Sequence, residues 1–443
     1  MKLWEKGISV DAAIEKFTVG KDRELDVLLA PFDILGSIAH VTMLETIGLI
    51  GKEELPAIID ELKALYHQSF LPGFIIEEGV EDIHSQVELM LTRKLGYLGK
   101  KIHSGRSRND QILVDLKLFT REKIEKLVNK ADTLANILLD KSEQHKGVLM
   151  PGYTHLQIAM PSSFGLWFGA FAESITDDLL ILQSAWKIAN QNPLGSAAGY
   201  GSSFPLNRSL TTRLLGFDNL NYNVVYAQMG RGKTERIVSF AMANLAATLS
   251  KLAYDVCLFM NQNFGFVSLP EELTTGSSIM PHKKNPDVFE LIRGHCNKLQ
   301  ALPTQITLIS NNLPSGYFRD MQVMKEVFLP AFEELEACLD IAAYAMENIR
   351  VNHNILNDKK YDYLFSVEEV NRLTLEGMPF RDAYKEIGRQ IAEGEFKPLR
   401  TVEHTHEGSI GNLCLDEIKK KKDEIVHNFG FDAVGLAIQK LIG

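Results

Sequence analysis

Cysteine is scarce in this 443-residue sequence, and its four cysteines lie too far apart to form a CxxC pair. A disulfide framework is therefore not expected, and the cysteine usage fits a reducing compartment. His404, His406 and Cys414 match no standard zinc spacing, so a solvated turn and no metal site are predicted there. The GKT run at 232–234 lacks the upstream glycine of a phosphate loop, because position 227 is alanine. We expect no cofactor.

The sequence also lacks a basic excess and a long uninterrupted apolar run. Lys and Arg number 47 against 57 Asp and Glu, a net charge of −10, which argues against a nucleic-acid-binding face. The first seven residues contain no apolar segment typical of a signal peptide. The most apolar stretches, near 164–171 and 237–260, are interrupted by Ser, Gly, Lys or Asp. We therefore expect a cytoplasmic protein that binds neither nucleic acid nor membrane.

Helical periodicity is the strongest signal that is present. Residues 110–146 contain neither Pro nor Gly, and their apolar residues recur at spacings that place them on one helical side: Ile112, Leu116, Phe119, Leu127, Leu134 and Leu138. Gly147 is typical of a helix end, and Asn109 or Asp110 is the predicted N-cap.

Four further long helices are predicted, over about 161–192, 233–262, from 285 onward, and 320–350 with Pro330 as a kink. The fourth is predicted to open with Asn285 as N-cap and Pro286 in the first helical position. The third is apolar nearly all round through 240–260, which favours a bundle centre or a subunit interface.

Strand-like alternation is scarce, so the pattern predicts an all-α fold with an elongated central bundle of five long helices. We expect three regions: an N-terminal helical domain over 1–109, a central bundle over 110–352 that carries the catalytic core and the oligomer contacts, and a C-terminal helical domain over 353–443.

A first polar segment, HSGRSRNDQ, occupies residues 103–111. Its two arginines, Arg106 and Arg108, would lie beside the N-terminal amides of the longest helix. Bidentate pairing and the helix dipole suit such a place for binding a carboxylate. The alternative interpretation is a plain helix cap with solvent-facing charges.

A second segment, PGYTHLQ at 151–157, forms a tight turn between two long helices. A lone histidine in such a turn is more often structural. The hydrogen-bonding groups of Thr154 and Gln157 favour instead a positioned His155 imidazole that exchanges protons near neutral pH.

A third segment, GSSIMPHKKNPD at 276–287, is a glycine–serine loop that leads into two lysines and a helix start. Removal of a proton next to a carboxylate builds negative charge on that carboxylate, and fixed cations and amide donors stabilise it. Lys283, Asn285 and the loop amides have this chemistry. A simple capped loop would explain Asn285 and Pro286 but not two adjacent lysines.

The third segment resembles the signature loop of the fumarase–aspartase superfamily, whose members release fumarate or a close relative. Within that superfamily, residues 103–111 and 151–157 resemble the argininosuccinate lyases. The similarity runs from about residue 4 into the C-terminal region and includes residues 192–195 and 316–322. It implies reversible elimination of fumarate from argininosuccinate to give arginine, with no cofactor, in a homotetramer whose active sites are shared between subunits.

The resemblance also assigns site residues. It implies that His155 and Ser277 form the proton-transfer pair, and it leaves open which of them takes the carbon-bound proton. Serine is a poor base unless neighbouring amides and cations assist it. Substrate-binding positions fall on eight further residues, of which Arg108 and Lys283 are the expected carboxylate partners: Arg108, Asn109, Thr154, Lys283, Asn285, Tyr317, Gln322 and Lys325.

Helix length gives an independent prediction about these residues. A helix over 110–146 would span about 55 Å, with Asn109 at its start and His155 beyond its end. If both residues touch one small substrate, they must come from different chains.

Some positions depart from the family's pattern. Gly20 stands where many members have a substrate-contacting serine, residues 4–7 read WEKG in place of the family's opening, and Arg319 replaces a frequent lysine. His282 stands where glutamine is frequent and resembles adenylosuccinate lyases, which are the rival enzyme class. A second rival hypothesis is a catalytically silent homologue. This hypothesis is the weaker one, because the expected chemical residues are all present: His155, Ser277, Lys283 and Asn285.

Overall fold

The structure, a computed structural model, describes residues 11–443, and helices dominate it. The predicted all-α class is confirmed. The departure at residues 4–7 lies outside the described residues. The first helices precede residue 108: α1 Ala12–Val19, α2 Asp22–Asp26, α3 Ala30–Thr46, α4 Leu55–Gln68, α5 Ile83–Leu95 and α6 Tyr97–Lys100.

The central part alternates long helices with short elements. Its helices are α7 Arg108–Gln144, α8 Phe164–Ala189, α9 Arg208–Leu214, α10 Val224–Met229, α11 Lys233–Met260, α12 Asp287–Leu299, α13 Leu302–Ile309 and α14 Met324–Glu347. Four helices complete the chain: α15 Ser366–Leu375, α16 Phe380–Glu393, α17 Leu415–His427 and α18 Phe431–Ile442. Short 3₁₀ turns lie at Val27–Leu29, Lys101–His103, Glu271–Leu273, Arg319–Gln322, Ile355–Asn357 and Lys359–Phe365.

The described strands are short and pair in three two-stranded sheets. An antiparallel hairpin joins β1 and β2, β3 pairs β4 in parallel, and β5 pairs β6 antiparallel. Their bounds are β1 Leu149–Thr154, β2 Gln157–Ser163, β3 Gln191–Asn192, β4 Asn219–Leu220, β5 Val267–Ser268 and β6 Arg350–Val351.

The longest helix, α7, has the 37 residues that were predicted but begins two residues earlier. The predicted N-cap at Asn109 or Asp110 was wrong, because Ser107 has the extended backbone of a cap residue. Its hydroxyl accepts from the Asn109 amide at 3.3 Å, and the Asp110 carboxylate accepts from the Ser107 amide at 2.8 Å. This reciprocal pair is a capping box. All six apolar residues predicted on one side of the helix are buried.

The other long helices also differ in detail from the prediction. The predicted fourth helix consists of two, α12 and α13, with Pro303 near the start of the second. Asn285 is not the N-cap; Pro286 holds the cap position without a side-chain hydrogen bond. Pro330 lies inside α14, as predicted. Helix α11 is buried on one face only, since Phe240 and Tyr254 on the other face are 53% and 50% exposed.

One continuous apolar core extends from α3 through the long helices to α18, while Val370, Ala383 and Ile387 form a small separate core between α15 and α16. Two stretches, Ala13–Thr46 and Lys233–Met260, are long and apolar enough to span a membrane by length and composition. The apolar window of the first is 83% buried inside the protein, which marks it as core, and that of the second is 50% buried.

The direction of the long helices gives the bundle two distinct ends. At one end, the Arg231 guanidinium just before α11 donates to the Met321 carbonyl oxygen at 3.1 Å. At the other, Phe266 follows α11 and stacks on Tyr153 of the hairpin, with ring centroids 6.3 Å apart. The 28 residues of α11 separate these ends by about 42 Å.

Helix α12 runs antiparallel to α11. Ser250 donates to Asn297 at 2.7 Å, and the Arg293 guanidinium lies 5.8 Å from the Tyr254 ring centroid. The loop that precedes α12 therefore lies at the hairpin end of the bundle.

Candidate active site in two halves

Five of the predicted site residues line one cavity of about 210 Å³ at the start of α7: Arg108, Asn109, Tyr317, Gln322 and Lys325. The side chains come from the first turn of α7, from the segment before α14 and from the first turn of α14. We call this cavity the α7 pocket. It brings together residues that are about two hundred positions apart in the sequence.

Sequence reasoning missed further residues that line the same pocket: Asp22, Asp26, Glu81, Asp82, His84, Ile112, Arg231 and Arg319. The four-residue spacing of Asp22 and Asp26 would place both carboxylates on one helical face. That pattern alone does not tell a binding site from a solvated face.

Arg108 is already paired with carboxylates in the α7 pocket. Its Nη1 lies 3.0 Å from Glu81 Oε2 and 3.2 Å from Asp82 Oδ2, and its Nη2 donates to Ser85 Oγ at 2.7 Å. Arg106 does not line this pocket; it is buried and donates to Ser37 Oγ at 3.0 Å. The two arginines of the first segment thus point to different environments.

Lys325 forms a deeply buried ion pair in the pocket. Its Nζ lies 2.6 Å from Asp22 Oδ1 and 2.5 Å from Asp26 Oδ1. Burial opposes the charge of Lys325, but the two carboxylates outweigh it and raise the pKa of the ammonium group. Burial raises the pKa of Asp22 to about 6, although the positive charge of Lys325 opposes the shift.

The segment before α14 holds the N-terminal region against the pocket. Gln322 Nε2 donates to the Thr18 and Val19 carbonyl oxygens at 2.9 and 3.2 Å. Arg319 Nη2 donates to Thr18 O at 2.9 Å and to Glu81 at 3.0 Å. Gly20 adopts a left-handed φ of 54° at the end of α1, and the chain then turns so that Asp22 faces the pocket.

A buried polar cluster lies beneath the α7 pocket. His84 Nδ1 is 2.7 Å from Asp33 Oδ1 and 3.5 Å from Asp115 Oδ2, and all three side chains are buried. Burial opposes protonation of His84, but Asp33 and Asp115 raise its pKa to about 9. Burial and the neighbouring Asp33 raise the pKa of Asp115. These residue types also occur in metal sites, but Nδ1 already bonds Asp33, so an ion-paired cluster accounts for them.

Thr154 and His155 lie far from the α7 pocket, at the tip of the β1–β2 hairpin. His155 and Leu156 both have left-handed φ values, 55° and 58°, as the two central residues of a tight hairpin turn require. Residues without the freedom of glycine are strained there, and such strain clusters at functional sites. Thr154 and His155 are both exposed.

Ser277, Lys283 and Asn285 belong to a loop that closes on itself before α12. The backbones of Thr275 and Asn285 exchange two hydrogen bonds at 3.3 and 2.8 Å, which fix the two ends of the loop. Inside it, the Ser277 hydroxyl accepts from the amides of Ile279 and Met280 at 3.4 and 3.2 Å. Lys283 is exposed, whereas Lys284 is paired with Glu271 at 2.6 Å.

The structure thus divides the predicted site residues of one chain into two groups, which lie at opposite ends of its helical bundle. Asn109 lies in the first turn of α7, a helix about 55 Å long. The hairpin that carries His155 follows the other end of that helix, and the Ser277 loop lies at the hairpin end as well.

Comparisons with known proteins first indicate the class to which this protein belongs. A family model described as a lyase matches residues 6–301. Among solved structures, an EDDS lyase in complex with formate has a TM-score of 0.78 at 22% identity and covers 98% of this chain and 95% of its own. The class II fumarase of Schistosoma mansoni has a TM-score of 0.71 at 16% identity, over 95% and 96% of the two chains. These two structures share the fold.

Proteins named argininosuccinate lyase match over the whole length. The one from Bacteroides fragilis is 65% identical over 442 residues, 100% of this chain and 99% of the relative. That from Parabacteroides distasonis is 64% identical, and that from Stenotrophomonas maltophilia is 37% identical over 95% of this chain and 98% of its own. The chain therefore belongs to the argininosuccinate lyase family, which confirms the resemblance found in the sequence.

The cluster beneath the pocket predicts a pH-dependent contribution to stability. The pKa of His84 is raised above its ordinary value of 6.5 to about 9. Its stabilising contribution is therefore complete below pH 6.5 and is lost as the pH rises through about 9. The stability advantage of wild type over His84→Gln should be largest near pH 6. It should shrink by roughly 1–3 kcal/mol in free energy of unfolding as the pH rises to 9.5, and the difference in unfolding temperature should shrink with it.

Thermal unfolding followed by circular dichroism at both pH values measures this difference. His67→Gln is the matched control, because His67 is exposed on α4 and should give a small difference at every pH. A large His84→Gln effect that stays constant from pH 6 to 9.5 would mean that His84 stabilises by packing rather than by charge.

Proposed function

We propose that this protein cleaves argininosuccinate into arginine and fumarate by a reversible elimination that needs no cofactor. The observation that carries the proposal is the 65% identity, over the whole chain, to a protein named argininosuccinate lyase. The same proposal accounts for the three polar segments, each of which lies at a helix end or in a loop where side chains can meet a ligand.

The elimination needs a base, an acid and stabilisation of charge on a carboxylate. The base takes the carbon-bound proton next to the carboxylate, the electron pair forms the double bond of fumarate, and the C–N bond breaks. The acid protonates the departing guanidine nitrogen. We assign the two proton transfers to Ser277 and His155. Which of them is the base and which is the acid stays open.

The loop geometry supports a role for Ser277. Two backbone amides donate to its Oγ, and such donors stabilise negative charge on that oxygen. Lys283, exposed in the same loop, has the charge and the freedom to meet a substrate carboxylate. Asn285 closes the loop through its backbone, and we assign its side-chain amide to substrate binding.

We further propose that the active site is composite and that the protein is a homotetramer in the cytoplasm. Asn109 lies at the start of α7 and His155 lies beyond its end, about 55 Å away. One small substrate can therefore touch both residues only if they come from different chains. Large apolar side chains left exposed on the long helices offer the surface for association: Leu180, Ile181, Phe240, Tyr254, Leu291, Ile341 and Tyr344. The boundaries near residues 109 and 352 remain part of this proposal.

Substrate choice tests the proposed function most simply. Purified protein should convert argininosuccinate, with fumarate detected by its ultraviolet absorbance, and should leave adenylosuccinate unchanged, because only His282 favours the rival enzyme class. Treatment with a chelator should not alter the rate. Activity on adenylosuccinate alone, or activity that a chelator abolishes and a metal restores, would contradict the proposal.

The assigned role of Ser277 predicts a large loss of turnover without loss of fold. Ser277→Ala should reduce kcat by about 10²–10⁴-fold, the usual effect of removing one acid–base group. Among residues 11–443, its hydroxyl bonds only to amides of its own loop, so the unfolding temperature should not change. Ser278→Ala is the matched control, since this exposed neighbour has no assigned role. Wild-type turnover of Ser277→Ala would leave His155 as the main acid–base group.

Mixed oligomers test the composite site. Asn109→Ala and His155→Ala proteins should each be nearly inactive, and refolding them together should restore part of the activity, because some sites then combine intact residues from both variants. Asn109→Ala mixed with Lys325→Met is the control, since both residues line the pocket of one chain and no recovery is expected. Absence of recovery in the first mixture, with mixed assembly demonstrated, would place Asn109 and His155 in a site formed by one chain.

A further inference from the structure

A second cavity, of about 320 Å³, lies beneath the last helix, α18, and is walled by α3, α4, α7 and α18. We call this cavity the α18 pocket. Among residues 11–443, it shares no lining residue with the α7 pocket. Arg121 in its wall lies about 20 Å farther along α7 than Arg108. The α18 pocket is therefore separate from the proposed active site.

Most of the wall of the α18 pocket is apolar. Gly435 adds open space, because a Cβ atom there would meet no side chain and no backbone of another element within 4 Å. Glycine inside a helix is less favourable than alanine, yet at this position it leaves the cavity open. A cavity of this size and lining suits the apolar part of a small molecule. The apolar lining includes Phe32, Leu35, Leu118, Val434, Ile438 and Ile442.

One buried cation lies in the wall of the α18 pocket. Arg121 is 2% exposed, its Nη1 donates to the Leu215 carbonyl oxygen at 3.0 Å, and its guanidinium lies 4.4 Å from the Phe217 ring centroid. Within the described part of the chain, its Nε is buried without a hydrogen-bond partner. Burial lowers the pKa of Arg121, although the charges of Asp218 and Glu125 oppose the shift. A bound carboxylate would compensate this charge and accept from the free donor.

A carboxylate lines the α18 pocket one helical turn after Arg121. Burial and the neighbouring Glu122 raise the pKa of Glu125, against the charge of Arg121. Glu122 is paired with Lys126 at 2.5 Å. A ligand ammonium group beside Glu125 would favour its ionised form. Residues four positions apart on a helix have Cβ atoms about 5–6 Å apart, a spacing that the carboxylate and ammonium groups of one α-amino acid can bridge.

We propose that the α18 pocket binds an α-amino acid with a large apolar side chain. The ligand carboxylate accepts from the Arg121 guanidinium, the ammonium group donates to Glu125, and the side chain packs against the apolar wall. Argininosuccinate, arginine and fumarate lack such a side chain, so the ligand is neither substrate nor product of the proposed reaction. The inference thus goes beyond the proposed function and does not depend on it.

Four probes separate the parts of the ligand: L-phenylalanine; 3-phenylpropanoate, which lacks the ammonium group; 2-phenylethylamine, which lacks the carboxylate; and L-alanine, which lacks the ring. Calorimetric titration measures their binding to the assembled protein. Wild type should bind L-phenylalanine about 10–100-fold more tightly than each of the others, the range for one charge-assisted hydrogen bond or one buried aromatic ring. Equal binding of all four, or no binding of L-phenylalanine, would overturn the proposal.

Two variants locate the binding place. Gly435→Leu places a side chain in the α18 pocket and should weaken binding of L-phenylalanine by about tenfold or more. Gly388→Leu is the matched control, because Gly388 is also exposed inside a helix, has open space at its Cβ position and does not line the α18 pocket. Asn109→Ala, in the α7 pocket, should bind L-phenylalanine as wild type does. Unchanged binding by Gly435→Leu, or loss of binding by Asn109→Ala, would overturn the proposal.

Two further variants assign the polar contacts. Glu125→Gln should lose most of the preference for L-phenylalanine over 3-phenylpropanoate and keep the preference over 2-phenylethylamine, and Arg121→Gln should do the reverse. Circular dichroism shows whether each variant is folded. Where Arg121→Gln unfolds, Glu125→Gln and Gly435→Leu still decide the question. Preferences that stay at the wild-type level in folded Glu125→Gln would overturn the assignment.

Discussion

The rigidity of α7 is the constraint on which the rest of this structure depends. A helix of 37 residues fixes its two ends about 55 Å apart. Asn109 is fixed at one end, and the hairpin with His155 follows the other. The long, packed helices therefore keep Asn109 and His155 of one chain far apart. The proposed catalysis consequently requires association of several chains.

Charge pairing gives the α7 pocket its character. Arg108 pairs with Glu81 and Asp82, and Lys325 pairs with Asp22 and Asp26, so carboxylates hold these two cations in place. Such buried pairs fix geometry more than they add stability. The pocket can thus meet a substrate that carries both signs of charge, although the chain as a whole has a net charge of −10.

Sequence patterns predicted the elements whose signal is local. The absence of Pro and Gly over 110–146 gave the length of α7, but Asn109, Asp110 and Ser107 are all good caps, and only the extended backbone of Ser107 decides among them. The hairpin strands were missed because Pro151, Gly152 and Pro161 interrupt their alternation. Asp22 and Arg231 reach the pocket from separate short segments, and that proximity is a property of the tertiary fold.

The most direct test of the composite site is to measure oligomer mass and fumarate release in the same samples during stepwise dilution. The account predicts that specific activity falls in parallel with the tetramer fraction and that isolated chains are inactive, because each holds only one half of a given site. A monomeric species, identified by sedimentation, that retains the full turnover per chain would contradict it.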